Sequence, residues 1–542
     1  MRSVNRLLIC PLLLLVLPGA SGAEPALLPP DLPPEQAIDH YLDTRLQQVG
    51  ISSAPPVDDA NYLRRVMLDL VGRPPTAAEA RAFLALPDTD KRIRLVDRLI
   101  ASSAYARHQA AEFDAWLMDD TRSSIRDYLV KAFRERRTWD QMFRDMIVGE
   151  PDDVRQQGAV RYVAARSRDL DQLASDTSVA FFGVNVTCAK CHDHPLVDDW
   201  KQDHYFGMLS FFSRTFNAGE FFGERDYGQL TFKTVEGETR DARLMFLNGA
   251  LIPEAPSPEP DDRAKREEKQ RLEMLKQKKE PPPPPSYSRR AALVDAALRD
   301  QEQAFFSRAI VNHLWSRLFG HGLVTPIDQM HSENQPSHPE LLEWLARDMR
   351  RGGYDLTRFI RSVVLSRAYA RSSRWDSALP RPNPSLFAVA QVRPLKPWQY
   401  AMLLRLGATS PDDLPAETAS DAFDQRMTAL EQGTRNLAKG FDMPGEDFQV
   451  GVAEALWLSN GTEIADSLLA DQPATLVGRL GRCDTPEAAA ELAIWNVFAR
   501  PPEEGEVSTL VDYLAARADR GPQARRQLVW ALLTSSESRF NY

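Results

Sequence analysis

Residues 254–288 most constrain what this chain can fold into. DDRAKREEKQRLEMLKQKKE is a charged run, and PPPPP follows it at 281–285. The run has few apolar side chains to bury, and consecutive prolines hold a stiff, extended spacer. The stretch is read as a solvated linker, transiently helical in its charged part. Packed structure must then form on either side of it. A length of 542 residues fits two to four domains, and 43% apolar content is enough for real cores.

Both flanks read mainly as helix. In NYLRRVMLDLVGRPPTAAEARAFLAL, Leu63, Val66, Met67 and Leu70 recur at helical spacing. Gly72 stops that helix, Pro74-Pro75 breaks the chain, and Thr76 with Glu79 makes a capping box for the next helix. KRIRLVDRLIASSAYARH repeats the pattern through Ile93, Val96, Leu99 and Ile100. Residues 105–182 read mostly as helix, and Gly183 closes that block. Between 216 and 253, aromatic, Gly and Thr residues suggest a few strands. Beyond the linker, SHPELLEWLARDM opens a helix through Ser337, Pro339 and Glu340, with His338 as part of the cap. Two phrases recur: GRPPTAAE (72–79) resembles ARPPEEGE (499–506), and LIASSAYAR (99–107) resembles VVLSRAYAR (363–371). A recurring helix-turn-helix unit is the reading.

The N-terminus sets the expected compartment. Arg2 and Arg6 precede the apolar run LLICPLLLLVLP, and GASGAEP supplies small residues. This is the pattern of a secretory signal, with cleavage expected after Ala23 and a periplasmic or secreted product. Ile9 is too bulky for a lipoprotein signal at Cys10. No later stretch is apolar for long enough to span a bilayer. A net charge of −10 argues against a nucleic-acid partner.

The expected mature chain keeps three cysteines, Cys188, Cys191 and Cys483, too few for a disulfide scaffold. Two of them lie in VTCAKCHDHPLVDDW (186–200), where Cys188, Cys191 and His192 form C-x-x-C-H. Thr187 is expected to cap a short helix there, and Pro195 to end it. Two thiols three positions apart share a face of a helical turn. They can add across the two vinyl groups of haem, while the adjacent imidazole reaches the iron. This spacing is a haem-attachment signature, and it needs free thiols in an exported compartment. Haem iron takes a second axial partner or keeps an open position. His204 and Met208, four apart on one helix, are the candidates. Core packing is the competing role for Met208, and a surface position that for His204. Met245 and Met330 are remote alternatives, His194 lies too near His192, and Asp193 is placed to orient an imidazole.

Zinc is the alternative cofactor. Cys188 and Cys191 with one or two of His192, His194 and His204 would supply tetrahedral ligands, and an open position would make a hydrolase of extracellular polymers. A third reading is a binding or assembly module whose two cysteines form a local disulfide. His313 and His321 read as structural. No G-x-S-x-G elbow, Walker loop or dinucleotide fingerprint occurs, and no catalytic carboxylate pair can be selected, so enzymatic activity stays open.

FFGVNVTCAKCHDHPLVDDWKQDHYFGMLSFF resembles the planctomycete-type cytochrome-like domain, domain of unknown function fifteen-forty-nine, and NYLRRVMLDLVGRPPTAAEARAFLA resembles its N-terminal half. FSRAIVNHLWSRLFGHGLVTPIDQMHSENQPSHPELLEWLARDM is similar to the partner domain, fifteen-fifty-three, and the likeness continues through RPLKPWQY, ALWLSNG and FARPPEEGEV. The resemblance implies an exported protein with a cytochrome-like motif at Cys188, Cys191 and His192. It implies no catalytic residue and does not make His313 a ligand. It hints at an exported sulfatase-like or redox partner. The separate cytochrome c domain that precedes the pair in many larger relatives is not seen here. The expected organisation is mainly α. A signal peptide (1–23) precedes an N-terminal helical cytochrome-like domain (24–215) and a small β insertion (216–253). The charged Pro-rich linker (254–288) then leads to a C-terminal helical domain (289–542). The leading expectation is a c-type mono-haem redox protein, with a substrate pocket between the two helical domains.

Overall fold

The computed structural model describes residues 27–542, apart from 120, 151–152, 196, 219–220, 377, 416–419 and 446–447. The signal-peptide reading over 1–23 lies outside the described residues. Among them are 23 α-helices and three two-stranded antiparallel sheets, so the chain is mainly α. No helix among the described residues is long and apolar enough to cross a membrane.

The helix boundaries follow local chemistry. Asp58 accepts from the Asn61 N–H and opens the helix Asp59–Val71, which Gly72 ends at φ +74°. Thr76 and Glu79 form the reciprocal capping box of the helix Ala77–Ala85. Ser102 and Ser366 turn corners in the same way. Each hydroxyl donates to the carbonyl three residues earlier and accepts from the N–H of the Tyr three residues later. The helices that precede these corners, Lys91–Ala101 and Leu356–Leu365, pack against each other, and Arg361 grips Asp97 at 2.6 Å between them.

Some local expectations need correction. Ile93 is 42% exposed and Leu95 is buried in its place, because the helix Lys91–Ala101 is turned toward its partner along Leu95, Val96 and Leu99. The helix Pro339–Arg351 has His338 as its N-cap without a side-chain cap bond; the Ser337 hydroxyl instead meets His338 Nδ1 at 3.1 Å.

A continuous apolar core draws most of its residues from Ala37 to Tyr369, on both sides of the linker. A second core runs from Leu395 to Leu533 and takes in Leu68. The helix Asp59–Val71 therefore packs on two sides. Its Leu63, Val66, Met67 and Leu70 enter the first core and Leu68 the second. Its arginines are buried too. Arg64 donates to the carbonyls of Glu537 and Phe540, and Arg65 to those of Tyr369, Arg371 and Tyr542. The terminal strand Phe540–Asn541 pairs with Arg393–Pro394 and closes this junction.

Residues 216–253 supply the expected strands. Thr215–Ala218 pairs with Phe221–Glu224, and Thr231–Lys233 with Thr239–Asp241. Phe232 stacks on Phe206 at 4.2 Å and fixes the second hairpin to the helix Gln202–Ser210. The charged stretch forms the helix Asp262–Lys278, none of whose residues is buried. The linker's ends meet: Arg289 forks onto Glu254 at 2.7 and 3.0 Å, beside Arg214 at 2.8 Å from the same carboxylate.

Candidate functional site

The Cys188–His192 turn hangs between two anchors. The first is Gly183, which ends the helix Leu170–Phe182 at φ +66°. A Cβ there would lie 3.1 Å from Met330 Sδ and 3.2 Å from the Ile327 carbonyl, so glycine allows both the left-handed turn and the close approach. Val184 then pairs with Gln329, the Asn185 N–H reaches the Asp328 carbonyl at 2.9 Å, and the Met330 N–H returns to Gly183 at 3.0 Å. The motif is thus fastened to a loop from beyond the linker. Asp199 adds to this by accepting from both the N–H and the hydroxyl of Ser332.

The second anchor is the helix Gln202–Ser210. Asp193 accepts from the Gln202 N–H at 3.1 Å, and the Gln202 amide donates to the Lys190 carbonyl at 3.3 Å. The His194 N–H bonds to the Trp200 carbonyl at 2.8 Å and closes the Pro195 loop.

Between the anchors, Thr187–Lys190 is a single 3₁₀ turn. Val186 is its N-cap, while Thr187 belongs to the turn and donates its own N–H to Asn185 Oδ1, so Thr187 is not the cap the sequence suggested. Ala189 is fully buried and pins the turn down; Cys188 and Cys191 are exposed and unbonded to each other. His192 is exposed, and its Nδ1 lies 2.6 Å from the Asp193 carbonyl. That contact makes Nδ1 the protonated nitrogen and leaves Nε2 with its lone pair free. Imidazoles that ligate metals are held in this way, with the other ring N–H on a carbonyl or carboxylate. Two free thiols and a correctly tautomerised imidazole on one exposed turn fit covalent haem.

The two candidate distal residues have different surroundings on the helix Gln202–Ser210. Met208 is completely buried in the first core. His204 caps its own helix, accepting at Nδ1 from the Lys201 N–H at 3.2 Å. Burial pushes its pKa below the ordinary histidine value, which keeps the ring neutral. His204 lines a cavity of about 380 Å³ together with Asp199, Trp200, Met330 and His331. Sequence reasoning left Met330 remote and passed over His331. Their approach depends on the bridge between Val184 and Gln329, a contact with no local signal. Among the described residues, no three His, Cys, Asp or Glu side chains are grouped so that they could hold a metal ion.

These features define a class: a mainly helical protein with an exposed C-x-x-C-H turn held between its N-terminal helices and a loop from beyond the linker. Residues 37–217 match the family described as "Protein of unknown function (DUF1549)", and residues 289–403 match "Protein of unknown function (DUF1553)". The chain belongs to the family of proteins that carry this domain pair, as the resemblance implied. No curated protein and no solved structure matches it.

Proposed function

We propose that the Cys188–His192 turn carries one covalently attached haem and that the protein is an exported, mono-haem c-type redox protein. The observation that carries this reading is the pair of exposed, free thiols beside an imidazole whose Nδ1 is already engaged by the Asp193 carbonyl. Each thiol S–H adds across one vinyl group, the sulfur to one carbon and the hydrogen to the other, so attachment needs no oxidant. His192 Nε2 is the ligand the turn offers, and the Asp193 carbonyl fixes its tautomer. Gln202 holds Asp193 and the Lys190 carbonyl, which sets the shape of the turn. The bound group would supply reversible one-electron transfer. The exposed turn leaves room for a partner, for which an exported redox or sulfatase-like protein is the proposal.

The test is expression of the full chain with a c-type maturation system, followed by an absorption spectrum and peptide mass analysis. The expected result is a Soret band and a haem adduct on the peptide holding Cys188 and Cys191, both lost when the two are changed to Ser. A folded, exported protein with an unmodified peptide would refute the reading.

A further inference from the structure

A second cavity, of about 380 Å³, lies where the two cores meet. One wall is the helix Ser103–Leu117, with His108, Glu112 and Trp116 at intervals of four. The facing wall is the helix Phe305–Phe319, with His313 and Arg317, again four apart. Arg393, Lys396 and Asp69 close it from the second core and the junction helix.

Two of the three cations that line the cavity are ion-paired inside it. Lys396 pairs with Glu112 at 2.5 Å, and Arg393 with Asp69 at 2.7 Å. Asp69 also accepts from the Tyr369 hydroxyl and the Asn541 amide, so its oxygens are committed. Burial holds Glu112 up, but Lys396, His108 and Arg317 outweigh it and bring its pKa down to about 2. Burial pushes His108 to about 4 and His313 to about 3, so both rings are neutral near pH 7. Arg317 is the third cation. Its side chain donates to a neutral acceptor, Gln109 Oε1, at 2.7 Å. The wall also leaves polar atoms unmet: Arg317 Nη1 and His313 Nδ1 are both buried without a hydrogen-bond partner among the described residues. Asp119 sits at the exposed rim.

A partly desolvated guanidinium with one buried N–H unmet and another on a neutral amide is costly to keep, and a ligand carboxylate matches its planar fork. Part of the remaining wall is apolar. Trp116, stacked on His313 at 3.5 Å, faces the same space as Ile327, Pro394 and Met443. The volume falls in the range of small-molecule sites and exceeds what an inorganic oxyanion fills. Neutral imidazoles this hard to protonate are poor general bases at neutral pH, so the arrangement suits binding rather than proton transfer.

We infer that this cavity binds a small organic monocarboxylate, its carboxylate held by Arg317 and its apolar body lying along Trp116 and Ile327. The site is independent of haem attachment at Cys188 and Cys191. The test is calorimetric titration of the full chain at neutral pH and fixed ionic strength with benzoate, acetate and inorganic phosphate. Benzoate is expected to bind one per chain, more tightly than acetate, with phosphate weakest. Arg317→Gln should weaken benzoate binding at least about tenfold, the loss of one charge-assisted contact. Ile327→Glu, on a partly exposed loop, tests the same site without touching the core. It places a competing carboxylate at the rim and should weaken binding comparably. The inference fails if the parent chain binds no benzoate at millimolar concentration, if phosphate binds best, or if both variants bind benzoate as the parent does.

Discussion

Residues 72–79 and 499–506 build the same corner twice. In each, an arginine forks onto a glutamate six positions on: Arg73 onto Glu79 and Arg500 onto Glu506, with all four bonds at 2.8 Å. The arginine also donates to the next proline carbonyl at 3.0 Å in both copies. The glutamate accepts a backbone N–H, from Thr76 at 2.8 Å or Glu503 at 2.7 Å. The residue before the arginine is left-handed in both, Gly72 at φ +74° and Ala499 at φ +56°. The surroundings differ. The Arg73 and Glu79 side chains are 8% and 3% exposed, and Glu79 is the arginine's paired carboxylate. Glu506 is 30% exposed, and Arg500 also grips Glu537 at 2.7 and 2.9 Å. Local sequence thus dictates the corner's geometry, and burial dictates how much stability each copy contributes.

Removing the carboxylate charge separates the two most strongly. Glu79→Gln leaves the Arg73 guanidinium buried beside a neutral amide, and breaking an enclosed pair in this way costs about 3–5 kcal/mol. Glu506→Gln leaves Arg500 paired with Glu537 in a more open setting, and should cost about 1 kcal/mol or less. Urea unfolding followed by circular dichroism measures both. Equal losses would show that burial does not distinguish the copies.

The left-handed position gives the next contrast. At Gly72 a Cβ would lie 2.4 Å from His108 Nδ1, so Gly72→Ala meets both the left-handed penalty and an immovable ring. The expected loss is about 2–4 kcal/mol. The second copy already carries alanine there. Ala499→Gly relieves the left-handed strain but frees the unfolded chain, and the net change should stay below about 1 kcal/mol. If Gly72→Ala is as mild as Ala499→Gly, His108 is not fixed where it packs.

The repeated phrase shows what the sequence makes legible. The helix stop at Gly72, the Thr76–Glu79 capping box and the strands between 216 and 253 depend on neighbours within a few residues, so spacing and residue type reveal them. Arg64 and Arg65 escape such reasoning. A helical pattern with charges between apolar positions sends them to solvent, yet Arg65 reaches the carbonyls of Tyr369 and Arg371, some 300 residues away. The candidate site divides in the same way. The C-x-x-C-H string is plain, but the free lone pair on His192 rests on a backbone carbonyl, and Met330 and His331 arrive from across the linker. Arg317 gives no signal at all, because its place in the cavity and its neutral partner Gln109 emerge only in the fold.

Acid sharpens the comparison at its smallest scale. The Arg500 hydrogen bonds hold Glu506 below the ordinary value of 4.5. Burial pushes Glu79 up, but Arg73 and the Thr76 N–H outweigh it, so Glu79 is lowered as well. In both copies the native chain binds fewer protons than the unfolded chain near that value. The stability each carboxylate contributes is complete above it, and is lost as pH falls through the depressed native value. The gap between parent and Glu506→Gln, about 1 kcal/mol at neutral pH, should therefore narrow steadily as unfolding is repeated at lower pH. The Glu79→Gln gap should narrow over the same acid range from its larger starting value. A Glu506→Gln gap that stays constant into strong acid would mean that lost packing, rather than the Arg500 ion pair, sets the worth of the second corner.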